Sequence, residues 1–260
     1  MKKLLSALMI TAVGTASYAL PIPFEFKAGI GYTWLSPSGY VSYGDNYQTD
    51  EADLEKDLHL GDSNNISAYV QFGLPVLPNI RLEYLPTKFD GTGKATKTIH
   101  FGDITISGTD RVKTKIDIKQ YDLDLFYRIH FPFIQPRIGL AVKYLDGYID
   151  IKTLYTRQHE HVDINIPLPL VYAGANIDVP IVPLQIDVEG KGITYDGSYA
   201  YDIKAIGKLV VKKLSPIAEA YVGLGYRYQR YRLKDVDVDG KNLNSDIKFK
   251  GPFIEAGFAF

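Results

Sequence analysis

Hydrophobic and polar residues alternate along most of this chain with a period of two. In the first such stretch, 24–34, the even positions are apolar or aromatic and the odd positions are polar, threonine or glycine. Because successive side chains of a β-strand point to opposite faces, this pattern predicts a strand with one apolar face. The chain ends on a similar stretch, whose apolar face is Phe260, Phe258, Ala256 and Ile254.

Ten segments of this kind predict ten strands. Their approximate bounds are 24–34, 66–74, 80–85, 116–131, 137–148, 168–177, 184–192, 199–211, 217–233 and 251–260. Short connections that contain proline alternate with longer polar ones, which are predicted as loops over 36–64, 86–113, 149–165 and 234–246. Weak alternation over 98–106 predicts a hairpin inside the second of these loops, and Asp196-Gly197 predicts a tight turn.

This layout of short turns and long loops is typical of transmembrane β-barrels. The last segment resembles the C-terminal strand of bacterial outer-membrane β-barrel proteins, in which the barrel-assembly machinery reads the terminal Phe and the alternating apolar residues. The resemblance implies an all-β fold, a closed antiparallel transmembrane barrel of about ten strands, in the outer membrane of a diderm bacterium. It also implies that Phe258 and Phe260 are the assembly signal, and that the partners are the assembly machinery, outer-membrane lipid and lipopolysaccharide.

The beginning of the chain predicts export. Met1-Lys2-Lys3 precedes an apolar run to Ala16, and Ser17-Tyr18-Ala19 places small residues where a signal peptidase cuts. This predicts a signal peptide over 1–19 and a barrel domain over 20–260. A membrane-anchor helix is the alternative, but the run is short and two prolines follow it.

Composition excludes several classes of protein. Two of the 29 basic residues lie in the predicted signal peptide. The remaining chain has 27 basic and 30 acidic residues, so no basic surface for nucleic acid is expected. The absence of cysteine excludes a disulfide scaffold. The 20 tyrosines and 12 phenylalanines favour strands, and their positions predict one aromatic belt near the turns and a second toward the loops.

The polar faces of the predicted strands would line the lumen of the barrel. The expected lumen-facing residues are Glu25, Lys27, Arg81, Glu83, Asp122, Asp124, Arg128, Lys143, Asp187, Glu189, Lys191, Asp202, Lys204, Lys208, Glu219, Arg227 and Glu255. Acids and bases nearly balance, and about ten strands lie close to the size at which side chains fill a barrel. A plugged lumen is favoured, and a narrow path for small solutes is the alternative.

A candidate calcium site is formed by Asp235, Asp237, Asp239 and Asp246. Their spacing matches the D-x-D-x-D-G pattern of calcium loops, but Asp replaces the final Glu and strands rather than helices flank the segment. A hairpin tip is the favoured alternative, because the intervening valines continue the strand pattern and Asp239-Gly240 is a turn pair.

His159-Glu160-His161, in the third predicted loop, is a second candidate for metal binding or base catalysis. Two histidines on a flexible loop are more often solvated, so the sequence favours no role for them. No G-x-S-x-G, H-E-x-x-H or P-loop motif is present. Ten-stranded proteases of the omptin type resemble the chain in fold only, because no matching Asp–His arrangement appears in the sequence.

The sequence therefore predicts a non-enzymatic integral outer-membrane barrel. The leading hypothesis is a porin-like narrow passive pore for small solutes, or a structural component of the envelope. The alternative is a surface-exposed binding or adhesion barrel that acts through loops 36–64 and 86–113, and an enzyme at the barrel rim is the third. The sequence does not identify a solute, an extracellular partner or the oligomeric state.

Overall fold

The computed structural model of the chain describes residues 24–44, 50–73, 76–215 and 218–260, with side chains omitted at 212–215. The predicted signal peptide lies outside the described residues, as do 45–49 in the first predicted loop and 74–75 and 216–217 at two predicted turns. No helix in the described part is long and apolar enough to cross a membrane.

The described ranges form thirteen strands, which differ widely in length. In chain order they are β1 (Glu25–Gly44), β2 (Ala52–Asp53), β3 (Ser63–Gly73), β4 (Asn79–Lys94), β5 (Ile99–Phe101), β6 (Ile104–Ile106), β7 (Arg111–Arg128), β8 (Ile134–Thr153), β9 (His159–Asp178), β10 (Leu184–Tyr195), β11 (Ser198–Ser215), β12 (Ala218–Val238) and β13 (Lys241–Ala259).

Ten of these strands close into a barrel. Neighbours pair in the order β1, β3, β4, β7, β8, β9, β10, β11, β12 and β13, and β13 pairs back with β1 from Lys27↔Ala259 to Gly44↔Asn242. All of these pairings are antiparallel, and the closure leaves the barrel without a first and a last edge strand. The predicted closed antiparallel barrel of about ten strands is confirmed.

Eight of the ten barrel strands are much longer than a membrane crossing requires, and β3 and β10 are the two short ones. β12 has 21 residues and β9 has 20, whereas a crossing takes about 9–11. At about 3.3 Å per residue β12 spans roughly 70 Å along its path. The prediction of long loops is therefore wrong for most of 149–165 and 234–246 and for parts of 36–64 and 86–113, where the barrel strands continue and raise the barrel wall.

The two faces of each long strand exchange polarity part-way along it. On β7, Leu125 points outward and is 41% exposed, while Asp124 points inward and is fully buried. Beyond Tyr121 the order reverses, since Lys115 is exposed on the outside and Ile116 is fully buried inside. The lower part has the apolar exterior and polar interior of a membrane-spanning barrel, and the upper part has the polar exterior of a barrel in water.

The lower exterior forms a continuous apolar belt. Its exposed side chains include Ile30, Ile66, Leu82, Leu140 and Leu224. Aromatic rings bound the belt as the sequence predicts: Phe26 packs against Phe72, Phe258 and Phe260 near the turns. On the loop side the Tyr121 ring contacts those of Tyr84 at 5.1 Å and Tyr144 at 6.5 Å. Such a large exposed apolar surface is favourable in contact with hydrocarbon and unfavourable in contact with water.

The upper interior is an apolar core that the connecting segments help to fill. Leu54 and Leu58, from the segment after β2, are fully buried in it. The hairpin of β5 and β6, which the sequence predicts weakly, turns inward and buries Phe101 against Tyr43, with ring centroids 5.7 Å apart. Residues 52–60 and 99–106 together form what we call the cap, which occupies the upper end of the barrel.

Candidate functional site

The predicted lumen residues all lie on the inner side of the barrel wall or at its lower mouth. Thirteen of them are buried within the lower half. The other four, Glu25, Lys27, Arg128 and Glu219, line the mouth at the end with the short turns. The structure therefore places these residues on the side of the wall that the period-two pattern predicts to face inward.

A ladder of ion pairs crosses the lumen at the level of the apolar belt. Lys143 Nζ lies 2.8 Å from Asp122 and 3.0 Å from Asp202. Lys191 Nζ lies 2.6 Å from Asp122 and 2.9 Å from Asp124. Each of these two lysine ammonium groups contacts two carboxylates, and both contact Asp122. The side chains therefore form one connected network and not separate pairs.

Two arginines extend this network to further strands. Arg227 binds Asp202 through Nε and Nη2 at 2.9 and 2.6 Å, and its Nη1 donates to Glu83 at 2.6 Å. Arg81 Nη1 donates to Glu189 at 2.7 Å. Burying these charges is costly unless partners surround them, and here acids and bases from opposite walls meet. The network fills the lumen with side chains.

Below the network the lumen opens into a blind vestibule. A cavity of about 840 Å³ lies at the mouth, bordered by Glu25, Lys27 and Arg128. A second, small cavity of about 20 Å³ lies beside Arg81 and Arg137. Arg128 and Lys27 both pair with Glu25, at 2.6 and 2.8 Å, so the walls of the mouth are charged and paired.

The upper rim carries polar pairs that the sequence did not reveal. Asp50 Oδ2 accepts hydrogen bonds from the backbone amide of His100 at 2.9 Å and lies 2.8 Å from its ring Nδ1. The hydrogen bond from the His100 amide is the main reason that the pKa of Asp50 is lowered. Lys241 lies 2.6 Å from Asp103 on the same rim. These partners are far apart in sequence, so only the folded cap brings them together.

The candidate calcium residues lie in and beside the hairpin that joins β12 to β13. β12 continues through Val238, and Asp239 and Gly240 occupy the turn with φ of 52° and 78°. Asp246 is held by Arg230, at 2.8 and 2.7 Å, and Asp237 accepts from the amide of Gly240. In the described part of the chain these aspartates do not come together as a group of three or more metal-ligating residues.

His159 and His161 lie on a strand and not on the predicted flexible loop. They begin β9 and point outward, and Asp150 of β8 lies directly opposite His161. Ligand atoms of Asp150, His159 and His161 lie within 4.8 Å of one another, and no other such group of three occurs in the described part of the chain. Partial burial opposes ionisation of Asp150, but hydrogen bonds from His159, Lys152 and His161 outweigh it and lower its pKa to about 2.

Comparison with known proteins supports the architecture. No protein-family model matches the chain, and no curated protein does. Among solved structures, the outer membrane protease OmpT from Escherichia coli superposes with a TM-score of 0.55 at 11% identity, over 94% of this chain and 99% of that one. The chain has the fold of the bacterial outer-membrane β-barrels. The expected location in the outer membrane of a diderm bacterium agrees with this fold.

Two further outer-membrane barrels match with lower scores. Ail, the attachment invasion locus protein of Yersinia pestis, has a TM-score of 0.37 at 11% identity, over 92% of this chain and 100% of that one. The translocator domain of the autotransporter NalP from Neisseria meningitidis has a TM-score of 0.39 at 9% identity, over 100% of this chain and 95% of that one.

Proposed function

We propose that this outer-membrane barrel is a closed structural component of the envelope that holds a rigid wall above the membrane, and that it is not a pore. The observation that carries the proposal is the filling of the lumen at two successive levels. The ion-pair network occupies the level of the apolar belt, and the apolar core with its cap occupies the level above it.

The network argues against even a narrow aqueous path. Lys143 is fully buried and Arg227 is 4% exposed, each in contact with carboxylates from other strands. A solute could pass only by separating several buried ion pairs at once, and each separation leaves uncompensated charge in a poorly solvated space. Such a network favours a closed structural barrel over an open pore.

The cap argues against recognition by mobile loops. The sequence offers segments 36–64 and 86–113 as a binding or adhesion surface, yet Leu54, Leu58 and Phe101 within them are fully buried. Contacts with an extracellular partner would therefore involve the rigid outer wall and rim. The proposal assigns no catalytic reaction, because the likeness to OmpT concerns the fold alone.

Lipid and lipopolysaccharide are expected to surround the barrel. Lipid would cover the apolar belt, and lipopolysaccharide would meet the polar wall just above it, where Arg232 and Lys250 point outward. The barrel-assembly machinery would read Phe258 and Phe260. The ring of Phe260 stacks against that of Phe258 at 6.1 Å on the outside of the closing strand, where a partner can reach both.

Reconstitution in planar bilayers tests the closed state. We expect purified, folded protein to give no discrete current steps, and a variant that lacks the β5–β6 hairpin to be silent as well, because the network below still blocks the lumen. A known porin inserted under the same conditions provides the positive control. Reproducible steps from the wild-type protein, in proportion to the amount inserted, would overturn the proposal in favour of the pore.

A further inference from the structure

We propose that Asp150, His159 and His161 form a binding site for a zinc-class divalent transition metal on the outer wall of the barrel, above the membrane. This inference does not depend on whether the lumen is closed. It rests on the side chains that the β8–β9 pairing brings to one exposed face.

Strand geometry fixes the three ligands relative to one another. His159 and His161 are two residues apart on β9, so both point to the same side of the sheet. Asp150 pairs with His161 across the β8–β9 ladder, where opposing side chains are about 5 Å apart. Asp150 Oδ2 lies 2.7 Å from His159 Nε2 and 3.4 Å from His161 Nδ1. In a tetrahedral zinc site the ligands bind at about 2.0–2.2 Å, so small rotations bring these atoms onto one ion.

The surroundings of His161 orient it as a ligand. Its Nε2 lies 3.3 Å from Asp163, two residues further along the same face. A carboxylate in this position accepts the Nε2 proton and leaves Nδ1 unprotonated to face the metal, an arrangement common to metal-binding histidines. The Tyr148 ring stacks on the imidazole at 5.1 Å and an interplanar angle of 28°, which holds the plane of the ring.

The ligand set selects the class of metal. Two imidazoles with one carboxylate suit Zn²⁺, Cu²⁺ or Ni²⁺, whereas Ca²⁺ and Mg²⁺ require oxygen ligands. Three protein ligands leave a fourth position for water. One feature weakens the site: Lys152 Nζ lies 3.0 Å from the other oxygen of Asp150, so its positive charge opposes the ion.

This opposing lysine provides a variant that should gain affinity. We expect Lys152→Gln to bind zinc several-fold more tightly, because it removes a like charge beside the ion. We expect His159→Ala and His161→Ala to lose detectable binding, and Asp163→Ala to bind about 10–100-fold more weakly. His100→Ala is the matched control, since His100 is also exposed and paired with an aspartate but lacks a second imidazole.

The experiment is calorimetric titration of ZnCl₂ into untagged, chelator-treated full-length protein in detergent, with Co²⁺ absorption as a second readout of coordination. Each variant is first checked for folding by the mobility of unheated and heated samples on gels. A saturable heat of one ion per chain, lost in both histidine variants and kept in His100→Ala, supports the site. Absence of zinc binding in the wild type, unchanged binding in His159→Ala and His161→Ala, or loss in His100→Ala overturns it.

Discussion

Arg227 and Glu83 stand 144 residues apart in the chain, on strands β12 and β4 that do not pair, and Arg227 Nη1 donates to Glu83 Oε1 at 2.6 Å across the lumen. Arg227 also binds Asp202 on the adjacent strand β11. One guanidinium thus ties opposite walls of the barrel together.

Replacement of this arginine should destabilise the barrel strongly. Arg227→Met leaves two carboxylates buried without their main partner, which costs about 3–5 kcal/mol. Urea unfolding in detergent measures the loss. The control is Arg230→Met, which breaks the outer-wall pair with Asp246 where the arginine side chain is 32% exposed, and should cost no more than about 1 kcal/mol. Equal losses of unfolding free energy in the two variants would mean that the lumen network does not stabilise the barrel more than the outer-wall pair does.

A methyl group at Gly29 should disturb a pair of lumen tyrosines. A Cβ there would lie 2.5 Å from Tyr69 and 2.9 Å from the hydroxyl of Tyr221, and these two hydroxyls share a hydrogen bond. Gly29→Ala should lower the free energy of unfolding by about 1–3 kcal/mol, as overpacking does. Gly190→Ala, where the Cβ meets nothing within 4 Å, should change it by no more than about 0.5 kcal/mol. Unfolding curves that show no difference between the two would refute the packing argument.

The cap should loosen when its central ring is removed. Phe101 is fully buried, and truncation of such a ring costs about 3–5 kcal/mol. Because the barrel below keeps its pairing, we expect Phe101→Ala to speed trypsin cleavage after Lys97, which is already exposed beside the hairpin, without loss of the folded barrel on gels. Thr105→Ala, on the exposed face of the same hairpin, should be cut no faster than the wild type. A cap that stays resistant in Phe101→Ala would show that other contacts suffice.

Removal of Phe260 should impair closure of the barrel. The backbones of Phe26 and Phe260 exchange two hydrogen bonds, at 2.7 and 2.9 Å, and their rings lie 5.1 Å apart. A chain that ends at Ala259 should assemble into less heat-modifiable protein in cells. Phe133→Ala alters an exposed ring at a turn and should assemble normally. Wild-type yield from the shortened chain would argue against Phe260 as part of the assembly signal.

The stabilisation provided by Asp150 should depend on pH in one direction. Its pKa is lowered from 3.8 to about 2, so ionised Asp150 favours the folded state above about pH 4, and this contribution is lost as the pH falls toward about 2. The thermal midpoint of the wild type, compared with that of Asp150→Asn in the presence of EDTA, should show a difference that shrinks over this interval. A constant difference would mean that the carboxylate charge is not responsible.

The sequence predicted the lower half of the barrel because one local rule governs it. Around Leu123 and Leu125 the apolar face points to the exterior, so alternation alone identifies the strand and its lumen side. Pro167 and Pro169 lie on the part of β9 before Val171, where β9 pairs with β8 but not with β10, and a proline there removes no hydrogen bond to β10. Turn chemistry placed Asp196 and Gly197 correctly, with φ of 46° and 78°.

The upper half escaped prediction because its pattern is inverted. Val112 and Ile151 face inward there, and Lys113 and Lys152 face outward, so a search for apolar exteriors interprets these residues as polar loop. The Asp50–His100 pair depends on packing between segments 50 residues apart, and the group around Asp150 depends on the register of β8 against β9. Register of this kind is set by packing of the whole barrel and leaves no signature in a single stretch of residues.

The exchange of polarity near Tyr121 also determines how deep the molecule sits. If the barrel moved deeper into the membrane by the length of two residues, lysines of the upper wall would enter the acyl chains. If it moved outward by the same length, leucines of the apolar belt would enter water. Both displacements cost free energy. The position of this polarity change therefore fixes how deeply the barrel inserts in the membrane. The rim and the outer wall are held at a constant height above the cell surface.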